Sequence, residues 1–368
     1  MNKINNINQK NLTLFLDPRS IRMLLLGFSA GLPILLVFST LSVWLVKAGV
    51  SRSTVTIFSW AGFAYAFKYI WSPLVDNLKL PVLGKYGHRK SWLLLSQIMI
   101  IFSLIFTAST DPSQTLIFTA IGVALIAFSS ATQDIVIDAF RIESAPQKLQ
   151  GALSSMYIAG YRIAMLVSGA GSLWLASFLG VETYNSNVWR TVYMVMAGLM
   201  FVGVFTTFFS PEPKIIGKKT IKLESQFKFA VTFALAIFVF ILIYSNLTNP
   251  FTSIQPFEKF IFASFRMFLC FSGAALMVFI LINRKFIPKN VANTAYVKPV
   301  SNFIKRYGKI AFAILLLIGL YRIADVVMGV VANIFYLDKG FNVKEIATYS
   351  KFFGVFATIA GGFMGGIF

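Results

Sequence analysis

The hydrophobic residues of this chain fall into long stretches that are separated by short polar or charged segments. A helix needs about 20 mostly apolar residues to cross the hydrocarbon core of a membrane. Ten stretches reach that length, approximately 21–46, 54–75, 91–110, 115–137, 151–178, 189–210, 227–248, 258–283, 309–333 and 346–368. Turn formers end several of them, as at Ser210-Pro211-Glu212-Pro213, where two prolines stop the helix. The pattern predicts an all-α polytopic membrane protein with about ten transmembrane helices.

The composition of the 368 residues excludes several other classes of protein. Hydrophobic residues make up 57% of the chain and charged residues only 12%, whereas soluble domains carry about 25% charged residues. Cys270 and His88 are the only residues of their types, so an internal disulfide, a His/Cys metal cluster and a His-based catalytic triad are excluded. The chain also lacks a Walker sequence for ATP. We therefore expect no enzymatic activity, no cofactor and no metal site.

The net charge of +20 would suggest nucleic-acid binding in a soluble protein. If the N-terminus is cytoplasmic, however, the cytoplasmic segments hold 22 Lys and Arg residues and the opposite loops hold six. This asymmetry is the positive-inside rule of membrane proteins. It predicts that both chain ends face the cytoplasm, and that the partner of these charges is membrane lipid and not nucleic acid.

The polar stretches divide the chain into four parts. Residues 1–20 form a polar cytoplasmic tail, and 21–213 hold six apolar segments that we interpret as an N-terminal six-helix bundle. Residues 214–308 contain two basic linkers around an inserted helix pair, 227–248 and 258–283. The remaining part, 309–368, ends inside an apolar segment with glycine pairs spaced four apart, a pattern that lets membrane helices approach closely. We expect a chain that is truncated within a C-terminal bundle.

Charged residues at membrane depth cost roughly 2.5–3.5 kcal/mol on insertion scales and usually have a function. Asp134 and Asp138 are four residues apart and share one helical face. Asp138 can pair with Arg141, whereas Asp134 has no such neighbour on its own helix. Arg162 lies about 16 Å along its segment, near the midplane, and Asp134 is its candidate partner. This pair could bind a ligand or could only fix helix packing.

Three further charged positions leave two interpretations each. Lys68 could contact an anionic substrate, or it could be a lysine that reaches from the helix to the membrane interface. Arg322 and Asp325 are three residues apart on one face, so they could neutralise each other or form an ion site that exchanges partners during transport. Tyr65, Tyr157 and Tyr161 lie near the charged positions in sequence and are candidates for stacking against a sugar.

Several motifs together resemble one family. Asp76, followed by Gly87-His88-Arg89-Lys90 at the start of the next segment, resembles the loop signature of the major facilitator superfamily, although Asn77 replaces the usual Arg and the loop is longer. A more specific resemblance is to the AmpG-type muropeptide permeases of that superfamily. It rests on the sequences at 27–33, 68–76, 133–139 and 160–169 and on the Pro-Glu-Pro stop, and it covers 18–213 and returns at 315–368.

The resemblance implies a proton-coupled transporter that imports anionic anhydro-muropeptides across the bacterial inner membrane for peptidoglycan recycling. Protons would bind Asp134, with Asp325 as a second candidate. The carboxylates of the substrate would bind positively charged side chains. The substrate-binding or proton-coupling residues would be Lys68, Gln133, Asp134, Asp138, Tyr161, Arg162, Arg322 and Asp325. The gating loop would consist of Asp76, Gly87, Arg89 and Lys90.

Two alternatives to this function remain open at this point. One is a carrier of acetyl-CoA or of another acyl or nucleotide compound, because such carriers also show a Gln-Asp-Ile pattern in the fourth segment. The other is a truncated remnant that does not transport, since the resemblance implies four more helices after Phe368.

Overall fold

A computed structural model of the chain describes residues 14–180, 183–213, 223–247, 256–286, 293, 298–354 and 357. Within these ranges all of the regular structure is helical. The α-helices are α1 (Pro18–Val37), α2 (Ser39–Lys47), α3 (Arg52–Ile57), α4 (Gly62–Ala66), α5 (Ser72–Asn77), α6 (His88–Ala108), α7 (Leu116–Ser144), α8 (Gln147–Leu166), α9 (Ser172–Phe178), α10 (Ser186–Leu199), α11 (Phe201–Phe209), α12 (Leu223–Asn246), α13 (Pro256–Asn283), α14 (Lys298–Tyr307), α15 (Ile310–Asp338) and α16 (Val343–Glu345).

Seven helical segments in the described ranges are long and apolar enough to cross a membrane. Some of them consist of two consecutive helices. They are Pro18–Lys47, His88–Ala108, Leu116–Ser144, Gln147–Phe178, Ser186–Phe209, Phe227–Asn246 and Ile261–Asn283. Each corresponds to one predicted apolar segment, and α15 covers the predicted segment 309–333. The last predicted segment, 346–368, begins as a π-helix over Ile346–Phe353. Its continuation, including the paired glycines, lies outside the described residues.

The second predicted segment, 54–75, does not form the single long helix that its hydropathy predicts. Arg52–Asn77 instead contains α3, α4, α5 and two 3₁₀ turns, Phe58–Ala61 and Lys68–Ile70. Pro73 cannot donate a backbone hydrogen bond and lies at the start of α5, with Trp71 as the N-cap. The interruption places Lys68 in a 3₁₀ turn and not on a continuous helix.

The chain divides into two compact units. The first comprises 1–69, 80–216 and 317–368, and the second comprises 70–79 and 217–316. In the second unit α12 and α13 pack side by side, with the rings of Phe240 and Phe271 5.1 Å apart. The guanidinium of Arg266 lies 3.5 Å from the ring centroid of Tyr244, which gives this charge a partner within the helix pair.

In the first unit, α1 and α8 pack so closely that glycine is required at their crossing. A Cβ atom on Gly27 would overlap the carbonyl oxygen of Tyr157, one on Gly31 would overlap that of Tyr161, and one on Gly160 would overlap that of Leu24. Small residues allow such backbone approach between membrane helices. The contact fixes the position of Tyr157 and Tyr161 relative to the rest of the bundle.

Both helices of this pair change course further along. Pro33 lies inside α1, and the helix breaks at Phe38 before α2, whereas α8 passes through a π-helix at Val167–Gly171 into α9. Thr40 Oγ1 donates to the carbonyl oxygen of Ser168 at 2.8 Å, so the break and the π-helix lie side by side. Prolines and π-segments are common causes of helix bends.

The first unit has two ends, which we name from α1 and α2. The near end contains Pro18 and the starts of α6 and α8, and the far end contains Lys47 and the ends of α2 and α9. At the far end Trp44 stacks on Trp189 with centroids 5.9 Å apart, and Tyr193 donates to the carbonyl oxygen of Leu36 at 2.7 Å. These fully buried aromatic residues form the core that joins α2 to α10.

Candidate functional site

A cluster of four charges lies where α7 passes the 3₁₀ turn of Lys68. Lys68 Nζ is 3.5 Å from Asp134 Oδ2 and 3.9 Å from Asp138 Oδ2, so the ammonium group bridges two carboxylates. The sequence predicts that their spacing of four residues places both on one face of α7, and that face lies against Lys68. The side chain of Asp134 is 13% exposed and that of Asp138 is 49% exposed. Asp134 is therefore the buried member of the pair.

Arg141 is the fourth charge of the cluster, one turn further along α7. Its Nη2 atom is 3.6 Å from Asp138 Oδ1, as the sequence predicts, and its Nη1 atom donates to Ser154 Oγ on α8. The two cations and two carboxylates balance, which makes the cluster neutral as a whole. Its neutrality depends on both aspartates being ionised.

Two tyrosines of α8 lie beside this cluster. The ring centroids of Tyr157 and Tyr161 are 6.0 Å apart, and Tyr157 lies near Asp134, Asp138 and Arg141. Tyr65 is also largely buried and packs against Phe38, with centroids 6.1 Å apart. Aromatic and charged side chains are thus adjacent here.

Arg162 does not pair with Asp134 in this structure, and the role of Gln133 in the site stays a prediction. The side chain of Arg162 is exposed, and its guanidinium donates to Met165 Sδ at 3.8 Å, while Lys68 is the cation that lies against Asp134. Gln133 is fully buried and donates to Ser29 Oγ at 3.0 Å, so it joins α7 to α1. The pairing that we considered for Arg162 and Asp134 is replaced by the pair of Lys68 and Asp134.

The near end is held together by Arg89, at the start of α6. Its guanidinium makes two parallel hydrogen bonds to Glu143 of α7, from Nε to Oε2 at 2.8 Å and from Nη2 to Oε1 at 2.7 Å. Arg89 is 2% exposed. This two-pronged geometry is the strong form of an Arg–carboxylate pair.

Glu212, from the Pro-Glu-Pro stop, completes this near-end latch of Arg89, Glu143 and Glu212. Its carboxylate accepts from the backbone N–H groups of Arg89 at 2.7 Å and Lys90 at 3.0 Å, so it caps the start of α6. Gly87 precedes the helix with φ +113, and a Cβ atom there would overlap the Glu212 carboxyl group. Only glycine satisfies both conditions.

The gating role predicted for Gly87, Arg89 and Lys90 stays a prediction, but the structure shows where these residues lie. Gly87, Arg89 and Lys90 lie together at the near end. Lys90 Nζ also donates to the carbonyl oxygen of Phe208 at 2.9 Å. Glu143 and Glu212 were not among the predicted residues. Glu212 could have been noticed as an acidic residue between two prolines, but its partners are 122 and 123 residues away. Asp76 belongs to the second unit, and its part in the gate stays a prediction.

At the far end, contacts join α2, α3 and α9 to the segment after residue 330. Asn333 of α15 is fully buried, and its Nδ2 atom lies 3.0 Å from both the carbonyl oxygen and Oγ of Ser39 and 3.1 Å from Ser42 Oγ. Arg52 pairs with Asp338 at 2.5 Å, and Trp174 Nε1 donates to Thr348 Oγ1 at 3.1 Å. Asn333 was not predicted, because it is uncharged and its partners Ser39 and Ser42 are 294 and 291 residues away. The side chains of the predicted pair Arg322 and Asp325 lie outside the described part of the structure.

Comparison with known proteins gives the family. A model of the Major Facilitator Superfamily matches residues 23–368. A Rickettsia felis protein named AmpG 4 is 30% identical over 354 residues, which cover 96% of this chain and 68% of that protein. The anhydromuropeptide permease of Escherichia coli is 30% identical over 363 residues, 98% of this chain but only 57% of that permease. The chain is a multi-pass membrane protein of the major facilitator superfamily of transporters, and within that superfamily it belongs with the AmpG proteins.

Proposed function

We propose that the chain carries anhydro-muropeptides into the cell across the bacterial inner membrane, coupled to protons that move in the same direction. The name of the Escherichia coli relative supplies the substrate class. The observation that carries the coupling is the position of Lys68 between Asp134 and Asp138. The positive-inside distribution of Lys and Arg supports a cytoplasmic N-terminus, which makes the near end of the first unit the cytoplasmic end.

Charge balance in the cluster suggests how a proton and an anion bind together. With both aspartates ionised, their two negative charges balance the positive charges of Lys68 and Arg141. Protonation of Asp134, the more buried carboxyl group, leaves the cluster with one excess positive charge. A carboxylate of the substrate then restores neutrality by pairing with Lys68, while Tyr157 and Tyr161 offer aromatic faces to its sugar. Proton and substrate thus favour each other's binding.

Asp134→Asn is expected to abolish active uptake while preserving exchange. The amide mimics the protonated carboxyl group, so the site still binds an anion but has no proton to release. Labelled anhydro-muropeptide uptake driven by a proton gradient should fall by about tenfold or more, whereas counterflow between internal and external substrate continues. Cells that lack their own permease, or proteoliposomes, provide the assay. The matched control is Glu258→Gln, the same carboxylate-to-amide change at an exposed residue in the first turn of α13.

The same assay separates the possible failures of this proposal. Gradient-driven uptake at the full rate by Asp134→Asn, with normal membrane insertion, refutes the proton role. Counterflow of acetyl-CoA in place of anhydro-muropeptide by the unmodified chain refutes the substrate. If the unmodified chain inserts normally but moves neither compound, the transport function itself fails for this chain.

The far-end contacts support an inward-facing conformation, because transporters of this kind alternate access by opening one end at a time. A short thiol-to-thiol cross-linker between Ser39→Cys and Asn333→Cys is expected to block uptake, since these side chains meet at the closed end. Cys270→Ser provides the background that removes the native thiol. Each single variant with the same reagent is the control. Full uptake by the cross-linked double variant would show that the far end does not open during transport.

A further inference from the structure

Helix α14, Lys298–Tyr307, has an exposed apolar side. Phe303, Ile304 and Tyr307 are three and four residues apart and lie on one helical face. The rings of Phe303 and Tyr307 pack together with centroids 4.9 Å apart. Ile304 is nevertheless 51% exposed and Tyr307 is 41% exposed. Ten residues with this pattern make a short amphipathic helix whose apolar face is open to its surroundings.

The other residues of this helix are basic and polar. Residues 298–309 contain Lys298, Lys305, Arg306 and Lys309 and no acidic residue, and all four basic side chains are exposed. Arg306 lies over the ring of Tyr307, 5.7 Å from its centroid, so its charge stays close to the border between the two faces. A helix with one apolar face and a basic, polar remainder matches a surface of lipid chains and negatively charged headgroups.

The connection to α15 places this helix near the membrane surface. Gly308 has φ +55 and ends α14, and its N–H group donates to the carbonyl oxygen of Ile304 at 2.7 Å. The apolar helix α15 begins two residues later, at Ile310. Two residues span at most about 7 Å. The end of α14 is therefore held close to a helix that the hydropathy of 309–333 predicts to enter the hydrocarbon core.

We propose that α14 lies in the membrane interface and binds anionic phospholipid headgroups. In this arrangement Phe303, Ile304 and Tyr307 rest among the upper acyl chains. Lys305 and Arg306 pair with lipid phosphates, and Lys298 and Lys309 add to the attraction at the two ends of the helix. The positive-inside distribution assigns the site to the inner leaflet. The inference uses the membrane location of the chain and the orientation proposed above, and it is independent of the transported substrate.

Site-directed labelling tests the position of the helix. In a Cys270→Ser background, an environment-sensitive fluorophore is attached to Ile304→Cys on the apolar face or to Asn302→Cys, which is exposed in the same turn. The full chain is placed in nanodiscs of phosphatidylcholine with or without phosphatidylglycerol. We expect a blue-shifted emission and protection from an aqueous quencher for the label at 304 only. Equal accessibility of both labels would overturn the interfacial position.

Lipid selectivity is tested with brominated acyl chains, which quench a nearby fluorophore. In mixed nanodiscs, brominated phosphatidylglycerol should quench the label at 304 more strongly than brominated phosphatidylcholine does. The double variant Lys305→Gln/Arg306→Gln should lose this preference, whereas Lys344→Gln, which removes an exposed charge elsewhere, should keep it. Equal quenching by the two lipids in the unmodified background, or an unchanged preference in the double variant, would overturn the proposed headgroup binding.

Discussion

Gly160→Ala is expected to destabilise the folded chain by about 1–3 kcal/mol or more, although alanine is the better helix former. The added methyl group would overlap the backbone carbonyl of Leu24, and a second backbone atom, the nitrogen of Phe28, lies at 2.9 Å from the same position. Neither can move aside as a flexible side chain would, so α1 and α8 must separate. Thermal unfolding of the purified protein in detergent measures the loss.

Gly151→Ala provides a matched control on the same helix. A Cβ atom there meets nothing within 4 Å. Without a steric penalty, the substitution should be neutral or should stabilise the protein by up to about 1 kcal/mol, the difference in helix propensity between alanine and glycine. The two changes are chemically identical and are expected to have opposite signs. Similar unfolding temperatures for the two variants would mean that the α1–α8 contact does not limit stability.

Glu143→Ala is the second substitution with a large expected effect. It leaves the guanidinium of Arg89 buried without its carboxylate partner, and breaking a buried ion pair in this way costs about 3–5 kcal/mol. The double variant Arg89→Leu/Glu143→Leu removes both charges and should recover much of that loss. Thermal unfolding of the two variants and the unmodified chain gives the comparison.

An exposed ion pair is the control for this experiment. Arg52 and Asp338 are as close as Arg89 and Glu143, but the Arg52 side chain is 68% exposed. Water already solvates that charge, so Arg52→Ala should cost no more than about 1 kcal/mol. The difference in destabilisation between the two variants therefore comes from how deeply the charge is buried and not from the distance between the paired atoms. Equal destabilisation by Glu143→Ala and Arg52→Ala would show that the near-end latch adds no more to stability than a surface pair.

Hydropathy was sufficient to predict the helices whose sequence is uniformly apolar. Segment 91–110 became α6, and 115–137 became most of α7, because burial of backbone polar groups in lipid leaves helix as the only available structure. Segment 54–75 is also mostly apolar but contains Gly62 and Pro73, and an average over 20 residues does not detect such local interruptions. The fold was therefore predictable at the level of segments and not of their breaks.

The candidate site was predictable only where its members share one helix. The spacing of Asp134 and Asp138 predicted a common face, and both do contact Lys68. Their partner could not be chosen from the sequence, because Lys68 and Arg162 both lie on other segments and the choice depends on how those segments pack. Gln133 follows the same rule, since its neighbour Ser29 is 104 residues away. Contacts between helices are properties of packing and not of sequence spacing.

The cap that Glu212 provides for α6 has a consequence for biogenesis. Residues 89 and 90 are synthesised long before residue 212, so during translation the first turn of α6 exists without the carboxylate that finally satisfies its N–H groups. Those donors must remain hydrated until α10 and α11 have been inserted and the Pro-Glu-Pro segment reaches them. The start of α6 therefore acquires its cap only when the sixth predicted segment is complete. A ribosome that stalls before that point leaves this end of the bundle open to water.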